Sequence, residues 1–182
     1  MRSTRCSRAA NRATPHDDAG MSGGGGSDGE RAHFAALESL YRAAPINQLF
    51  TSRLEIVAAG VARIHFNVDE SVFHAAGAAH GTIYFKMLDD AAFYAANSLV
   101  SDRFMLTTAF NLLLTRPIRA GPAVAEGHWV SGKRRVMVAD ARLLDSQGEE
   151  VARGTGTFMR SHFPLSSLPG YAPSPTDQPV AE

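Results

Sequence analysis

His80-Gly81-Thr82-Ile83-Tyr84-Phe85-Lys86-Met87-Leu88-Asp89-Asp90-Ala91-Ala92-Phe93-Tyr94-Ala95-Ala96 is the stretch whose reading decides the fold. A histidine and a glycine stand at its start, and no proline interrupts the apolar run behind them. The run predicts a long helix over Gly81–Val100. Ile83, Tyr84, Phe85, Met87, Leu88, Ala91, Ala92, Phe93 and Tyr94 surround most of the helix axis, and a helix apolar on most faces belongs inside a core. Asp89 lies two turns into that segment, where an ionised group is costly unless it is paired or used. Asp90 points about 100° away around the helix. It therefore has a different role, as partner of a nearby cation or as a solvent-facing charge.

Outward from this helix the pattern changes to strands. On the N-terminal side, Phe34, Leu37, Leu40 and Tyr41 predict a helix over Arg31–Arg42. Pro45 opens a short turn through Phe50. Arg53–Ala58 and Val61–Val68 read as strands joined at Gly60, and a loop over Asp69–Ala79 leads into the long helix. On the C-terminal side, Phe104–Thr115 places Phe104, Leu106, Thr108, Phe110, Leu112 and Leu114 on one face. Ala123–Ser131, Arg135–Leu144 and Glu150–Ser161 complete the set, with turns at Arg119–Pro122 and Asp145–Gly148. Strands without intervening helices make an antiparallel sheet. The expected class is α+β, with that sheet wrapped around the long helix.

The 182 residues suffice for one domain. Residues 1–30 read as a disordered leader: Arg2, Arg5, Arg8 and Arg12 come without an acid among the first sixteen residues, and Gly23–Gly26 cannot bury apolar surface. Either this leader belongs to the protein or Met21 is its natural start. The compact domain is expected over 31–163, and 164–182 reads as a proline-rich tail. Lysine plus arginine and aspartate plus glutamate both number 18, which argues against nucleic acid as a partner. No apolar run spans a membrane without charge. Cys6 is the only cysteine, which excludes a disulfide framework and fits a cytoplasmic protein.

The order of elements, together with His74-Ala75-Ala76-Gly77-Ala78-Ala79-His80-Gly81, resembles the hotdog-fold acyl-CoA thioesterases of the phenylacetate-pathway (PaaI-like) type. Members typically carry Asn-x-x-Gly-x-x-His-Gly-Gly at the helix start and an aspartate nine residues after the histidine. Gly77, His80, Gly81 and Asp89 stand at that spacing. Thr107, ten residues before Pro117, and the run Ala152–Thr157 extend the resemblance over about Pro45–Phe163. His74 departs from it by replacing the asparagine, and Thr82 by replacing the second glycine.

The resemblance implies a thioester hydrolase in which the Gly81 N–H stabilises the oxyanion at the helix start. Asp89 would be general base or nucleophile, Thr107 would orient the water, and His80 would hold the helix start. His74 would sit near the carbonyl, where it can donate a hydrogen bond. The resemblance also implies a site shared between two subunits, hence a homodimer or a homotetramer. No separate cofactor is expected, because CoA is part of the substrate. Lys133, Arg134 and Arg135, in a loop between strands, are either CoA phosphate contacts or an ordinary solvated hairpin tip; Arg160 and His162 are further candidates. Phe85, Met87 and Phe110 are expected to line a pocket for a medium-chain or aromatic acyl group.

Other features read as ordinary. His33, His65 and His128 are expected to be surface or sheet residues, and Trp129 and Tyr84 core or interface aromatics. The spacing of His74, His80 and Asp89 matches no metal motif. Gly20-Met21-Ser22-Gly23-Gly24 matches a nucleophile elbow only in form, with no preceding strand. Two other classes use the same fold: a non-catalytic acyl-CoA-binding regulator and an acyl-thioester dehydratase, for which His74 or His80 could serve.

Overall fold

The structure, a computed structural model, describes residues 27–172. The glycine-rich part of the leader, the elbow-like stretch and the tail beyond residue 172 lie outside the described residues. Helix α1 spans Asp28–Ala43 and starts three residues earlier than the apolar pattern suggests. The signal was Ser27, whose hydroxyl accepts the Glu30 N–H, an N-cap that satisfies one of the orphan donors of the first turn. A 3₁₀ turn comes next at Pro45–Leu49.

Strands β1 (Ser52–Ala58) and β2 (Val61–Val68) form a hairpin. Two short strands, β3 (Phe73–His74) and β4 (Ala78–Ala79), pair with each other before α2, which spans Gly81–Asn97. Then come β5 (Arg103–Leu114), β6 (Gly121–Ser131), β7 (Val136–Leu144) and β8 (Glu150–Pro164). The main sheet runs β1-β2-β6-β7-β8-β5, with every neighbouring pair antiparallel. It curls around α2, as expected for the hotdog fold.

The alternation along the strands explains the wrapping. Ala62, Ile64, Phe66, Ala125, Met137, Ala139, Ala141 and Leu143 are buried on the face that meets α2, against Met87, Leu88, Ala91, Ala92 and Ala95. Helix and sheet approach most closely at Gly127, where a Cβ would stand 2.0 Å from the Ala91 carbonyl oxygen. Only glycine admits that contact.

Helix α2 ends three residues earlier than the apolar pattern suggests. Asn97 is wholly buried and turns the chain out of the helix. Its Nδ2 donates to the carbonyls of Val100 (3.0 Å) and Arg103 (3.2 Å), and its Oδ1 accepts the Met105 N–H (3.1 Å). These bonds outcompete another helical turn and lead directly into β5.

The expected domain limit at 163 also moves. Leu165 is completely buried and Tyr171 packs on His33, so the tail begins beyond these residues. His33 is accordingly a buried helix residue and not a surface one. It lies 2.7 Å from the Tyr171 hydroxyl through Nδ1 and 3.1 Å from the Asn97 carbonyl through Nε2, and burial lowers its pKa.

Candidate active site

Asp89, half-buried on α2, faces an irregular stretch of β5. The strand slips register against β8 between Thr107 and Ala109, a bulge that changes which side chains face inward. Before the slip, Met105 is buried and Thr107 faces α2; after it, Phe110 and Leu112 are half-buried. The single face expected for Phe104, Leu106, Thr108, Phe110, Leu112 and Leu114 is therefore broken. Leu106 is exposed, and the Thr108 hydroxyl donates to the Thr157 carbonyl at 3.0 Å.

The Thr107 hydroxyl reaches both Asp89 carboxylate oxygens, at 3.0 and 3.2 Å. The Asp89 carboxyl is pushed up to about 6 by burial and by the neighbouring Asp90; the bond from Thr107 and the charge of Lys86 oppose that rise. It borders a cavity of about 280 Å³ whose walls include Ile46, Asn47, Asp90, Phe104, Leu106 and Thr107.

Asp90 is not solvent-facing. It forms an ion pair with Lys86, one turn earlier on α2. The Lys86 ammonium also donates to Asn47 Oδ1 at 2.6 Å and lies 5.5 Å from the centroids of both the Tyr41 and Phe50 rings. Burial raises the Asp90 carboxyl, and the charge and hydrogen bond of Lys86 offset that rise only in part. Sequence reasoning anticipated a cation for Asp90 without naming it. The spacing of four residues from Lys86 to Asp90 was the available signal.

The expected apolar pocket from Phe85, Met87 and Phe110 does not form as such. Met87 is buried in the core. Phe85 is exposed and meets Phe110 edge-on at 5.7 Å.

The start of α2 forms a second locus. Gly81 occupies the first helical position, where an N–H has no intrahelical acceptor. His80 is the N-cap: its Nδ1 accepts the Thr82 N–H at 3.2 Å and lies 3.0 Å from the Thr82 hydroxyl. His74 Nδ1 accepts the Ala76 N–H at 3.0 Å, closing the turn that Gly77 completes with a φ of +74°. His74, Gly81, Tyr84, Leu114 and Arg116 line a cavity of about 310 Å³. Tyr84 fixes its base: its hydroxyl donates to the Arg116 carbonyl at 3.2 Å and accepts the Ile118 N–H at 2.5 Å.

The structure thus brings Asp89 and Thr107 together, and His74, His80 and Gly81 together, but separates the two groups. Eight residues of helix divide Gly81 from Asp89, roughly 12 Å along the axis. Within one chain they open on different cavities.

The basic residues Lys133, Arg134 and Arg135 are exposed between β6 and β7. Lys133 lies 5.8 Å from the centroid of the Trp129 ring, and the Arg135 carbonyl accepts the Arg160 N–H at 3.2 Å. Arg160 is opposite Met105 in the β5–β8 ladder. The loop therefore lies at the Asp89 end of the sheet, about two strand spacings, or roughly 10 Å, from β5. Arg160 is paired with Asp102. His65 bonds Glu55 at 2.7 Å, and His128 is exposed. Among the described residues no group of three or more His, Cys, Asp or Glu side chains is placed to hold a metal ion. No helix among them is long and apolar enough to cross a membrane.

Residues 76–152, which include both loci of α2, match the family model of the thioesterase superfamily. That segment is similar to the thioesterase superfamily. A Saccharolobus solfataricus protein described as an esterase is 27 % identical over 100 residues, covering 55 % of this chain and 67 % of that one. The Escherichia coli PaaI protein of the phenylacetic acid degradation operon superposes with a TM-score of 0.66 at 20 % identity, over 73 % of this chain and 98 % of PaaI. A Streptococcus mutans protein solved with acetyl-CoA superposes with a TM-score of 0.56 at 19 % identity, over 60 % of this chain and 88 % of that one. These two structures establish the hotdog fold of the chain. The match of this segment and the likeness to the esterase mark the chain as a thioester hydrolase.

Proposed function

We propose that this thioesterase hydrolyses acyl-CoA, with a medium-chain or aromatic acyl group, at a site assembled from two copies of the chain. The observation that carries this reading is Asp89 itself. It is a half-buried carboxylate held by Thr107 beside a largely apolar cavity, with its proton affinity raised toward neutrality. Such a group takes a proton from water, or attacks the thioester carbonyl directly.

The oxyanion donor is the Gly81 N–H of the second copy, since the one on the same helix lies too far away. Edge strand β5 supports the pairing. It carries Leu113 at 58 % and Leu114 at 47 % exposure on an unpaired sheet edge, and Phe85 of α2 is exposed next to it. An apolar edge of this length invites a partner strand, and a twofold arrangement closes it. A homodimer is the minimal unit, and a homotetramer a pair of such dimers.

His80 and Thr82 hold the helix start, while His74 borders the cavity at Gly81 and offers its free ring nitrogen to the carbonyl region. Lys133, Arg134 and Arg135 take the CoA phosphates. CoA enters as part of the substrate, and the hydrolysis as proposed needs no separate cofactor.

The test is thiol release from a panel of acyl-CoAs. Release that falls by orders of magnitude in Asp89→Asn supports the reading. Binding without release would identify a regulator, and a changed acyl chain without free thiol a dehydratase.

A further inference from the structure

The cluster behind Asp89 is more elaborate than a helix needs for its own stability. Asp90, the next residue, borders the same cavity. Its carboxylate is bound by Lys86, whose ammonium has a second acceptor in Asn47 Oδ1 and lies near the Tyr41 and Phe50 rings. Asn47 is itself fixed, since its Nδ2 donates to the Tyr41 carbonyl at 2.7 Å. Three elements, α1, the Pro45–Leu49 turn and α2, thus converge on one ammonium group.

We propose that Lys86 and Asp90 are positioning residues of the hydrolase: Lys86 keeps Asp90 ionised, and the fixed negative charge of Asp90 makes its neighbour Asp89 the stronger base. The inference rests on the reading of Asp89 as the base.

Two adjacent, partly buried carboxylates normally share one proton, because each charge disfavours the other. An isolated Asp90 at this depth would take that proton and become electrically silent. The ion pair opposes that protonation by giving the Asp90 carboxylate a counter-charge that Asn47 and the two aromatic faces hold in place. Asp89 then faces a permanent anion on its own helix. The groups around it are few: Asp90, Lys86 and the Tyr94 ring from α2, the Thr107 hydroxyl from β5, and Asn47 from the 3₁₀ turn. Of the two full charges, Asp90 outweighs Lys86 in its effect on Asp89.

The test compares pH profiles of kcat/KM on whichever acyl-CoA of the panel is cleaved fastest. Asp90→Asn leaves the cation without its anion, so the acid limb should move down by about one pH unit. Adding Lys86→Met to that variant should move the limb back up. An acid limb that stays in place in Asp90→Asn, or rises, overturns the proposal.

If Asp90→Asn does not fold, the wild-type protein answers without substrate. With ¹³C-carboxyl-labelled aspartate, and Asp89 assigned by its loss in Asp89→Asn, the Asp90 resonance should stay at its ionised position while Asp89 titrates. Asp90 protonated while Asp89 is ionised overturns the proposal. Turnover undiminished in Asp89→Asn would bring down the base assignment and this inference with it. An inactive Asp89→Asn with an unmoved Asp90→Asn profile would bring down this inference alone.

Discussion

The separation of Gly81 from Asp89 makes a demand that can be tested with two substitutions. Gly81→Pro removes a single N–H and little else. Proline is favoured at the first helical position, which Gly81 occupies. Its predecessor His80 already has φ −67° and ψ 145°, the extended region that a following proline requires. A Cβ at position 81 meets only Leu114 Cδ1 at an ordinary 3.6 Å. The fold should therefore be unaffected. Loss of one oxyanion donor costs about 10²- to 10³-fold in kcat, or about 3–4 kcal/mol. Asp89→Asn should be at least as impaired. The two inactive proteins are then co-expressed with distinct tags, and the mixed dimer is purified away from both parents. If Asp89 of one copy works with Gly81 of the other, each mixed dimer has one site with both groups intact and one with neither. It should recover about half the wild-type activity per dimer, and a statistical mixture about one quarter. A site built within one chain gives no recovery, because every chain then carries one defect. Mixed dimers no more active than their parents would refute the shared site.

The same geometry sets four further outcomes. Thr107→Val removes the donor that favours the ionised Asp89, so the acid limb of the activity profile, expected near pH 6 in the wild type from the raised Asp89 carboxyl, should rise by up to about one unit. Asp89→Asn should unfold at a higher temperature than the wild type at pH 7, because the raised carboxyl pKa means that ionisation opposes folding. The gain, about 1–2 kcal/mol after allowing for solvent screening, should fade in calorimetry as pH falls from 6 to below 4. His33 has the opposite linkage: its lowered pKa means that the unfolded chain takes up the proton more readily. Its contribution is present above pH 6.5 and lost on acidification, and His33→Gln should flatten that part of the Tm profile. Gly127→Ala forces a methyl group onto the Ala91 carbonyl and should cost about 3 kcal/mol or more in denaturant unfolding.

The fold was legible because two periods stand side by side in the sequence. A segment apolar around its whole circumference has to be enclosed, and strands alternating at period two supply one apolar face each to enclose it. What the pattern missed lies in side-chain hydrogen bonds. Asn97 ends α2 by capturing two carbonyls and the Met105 amide; hydropathy counts it only as one polar residue in an apolar run. Leu165 and Tyr171 lie in a proline-rich segment, yet Leu165 is buried and Tyr171 meets His33 of α1, and no local composition reveals a contact made across more than a hundred residues.

For the candidate site, the sequence nominates residues but not their arrangement. The spacing from His80 to Asp89 nominates the groups, and period two should have set Thr107 opposite the inward face of β5. The bulge at Thr107/Ala109 reverses that assignment, because an inserted strand residue leaves no mark in alternation. The same spacing also carries a geometric consequence. A donor at the first turn of a helix and a base eight residues later cannot meet on one carbonyl, because the helix between them is rigid at 1.5 Å per residue. For both to serve one thioester, a second helix start must be brought to Asp89. The exposed leucines of β5 and the exposed Phe85 on α2 lie on the surfaces through which a second copy would approach. Catalysis and association are then one requirement: a substitution that separates the copies along β5 should abolish turnover while leaving each Asp89 and each Gly81 in place.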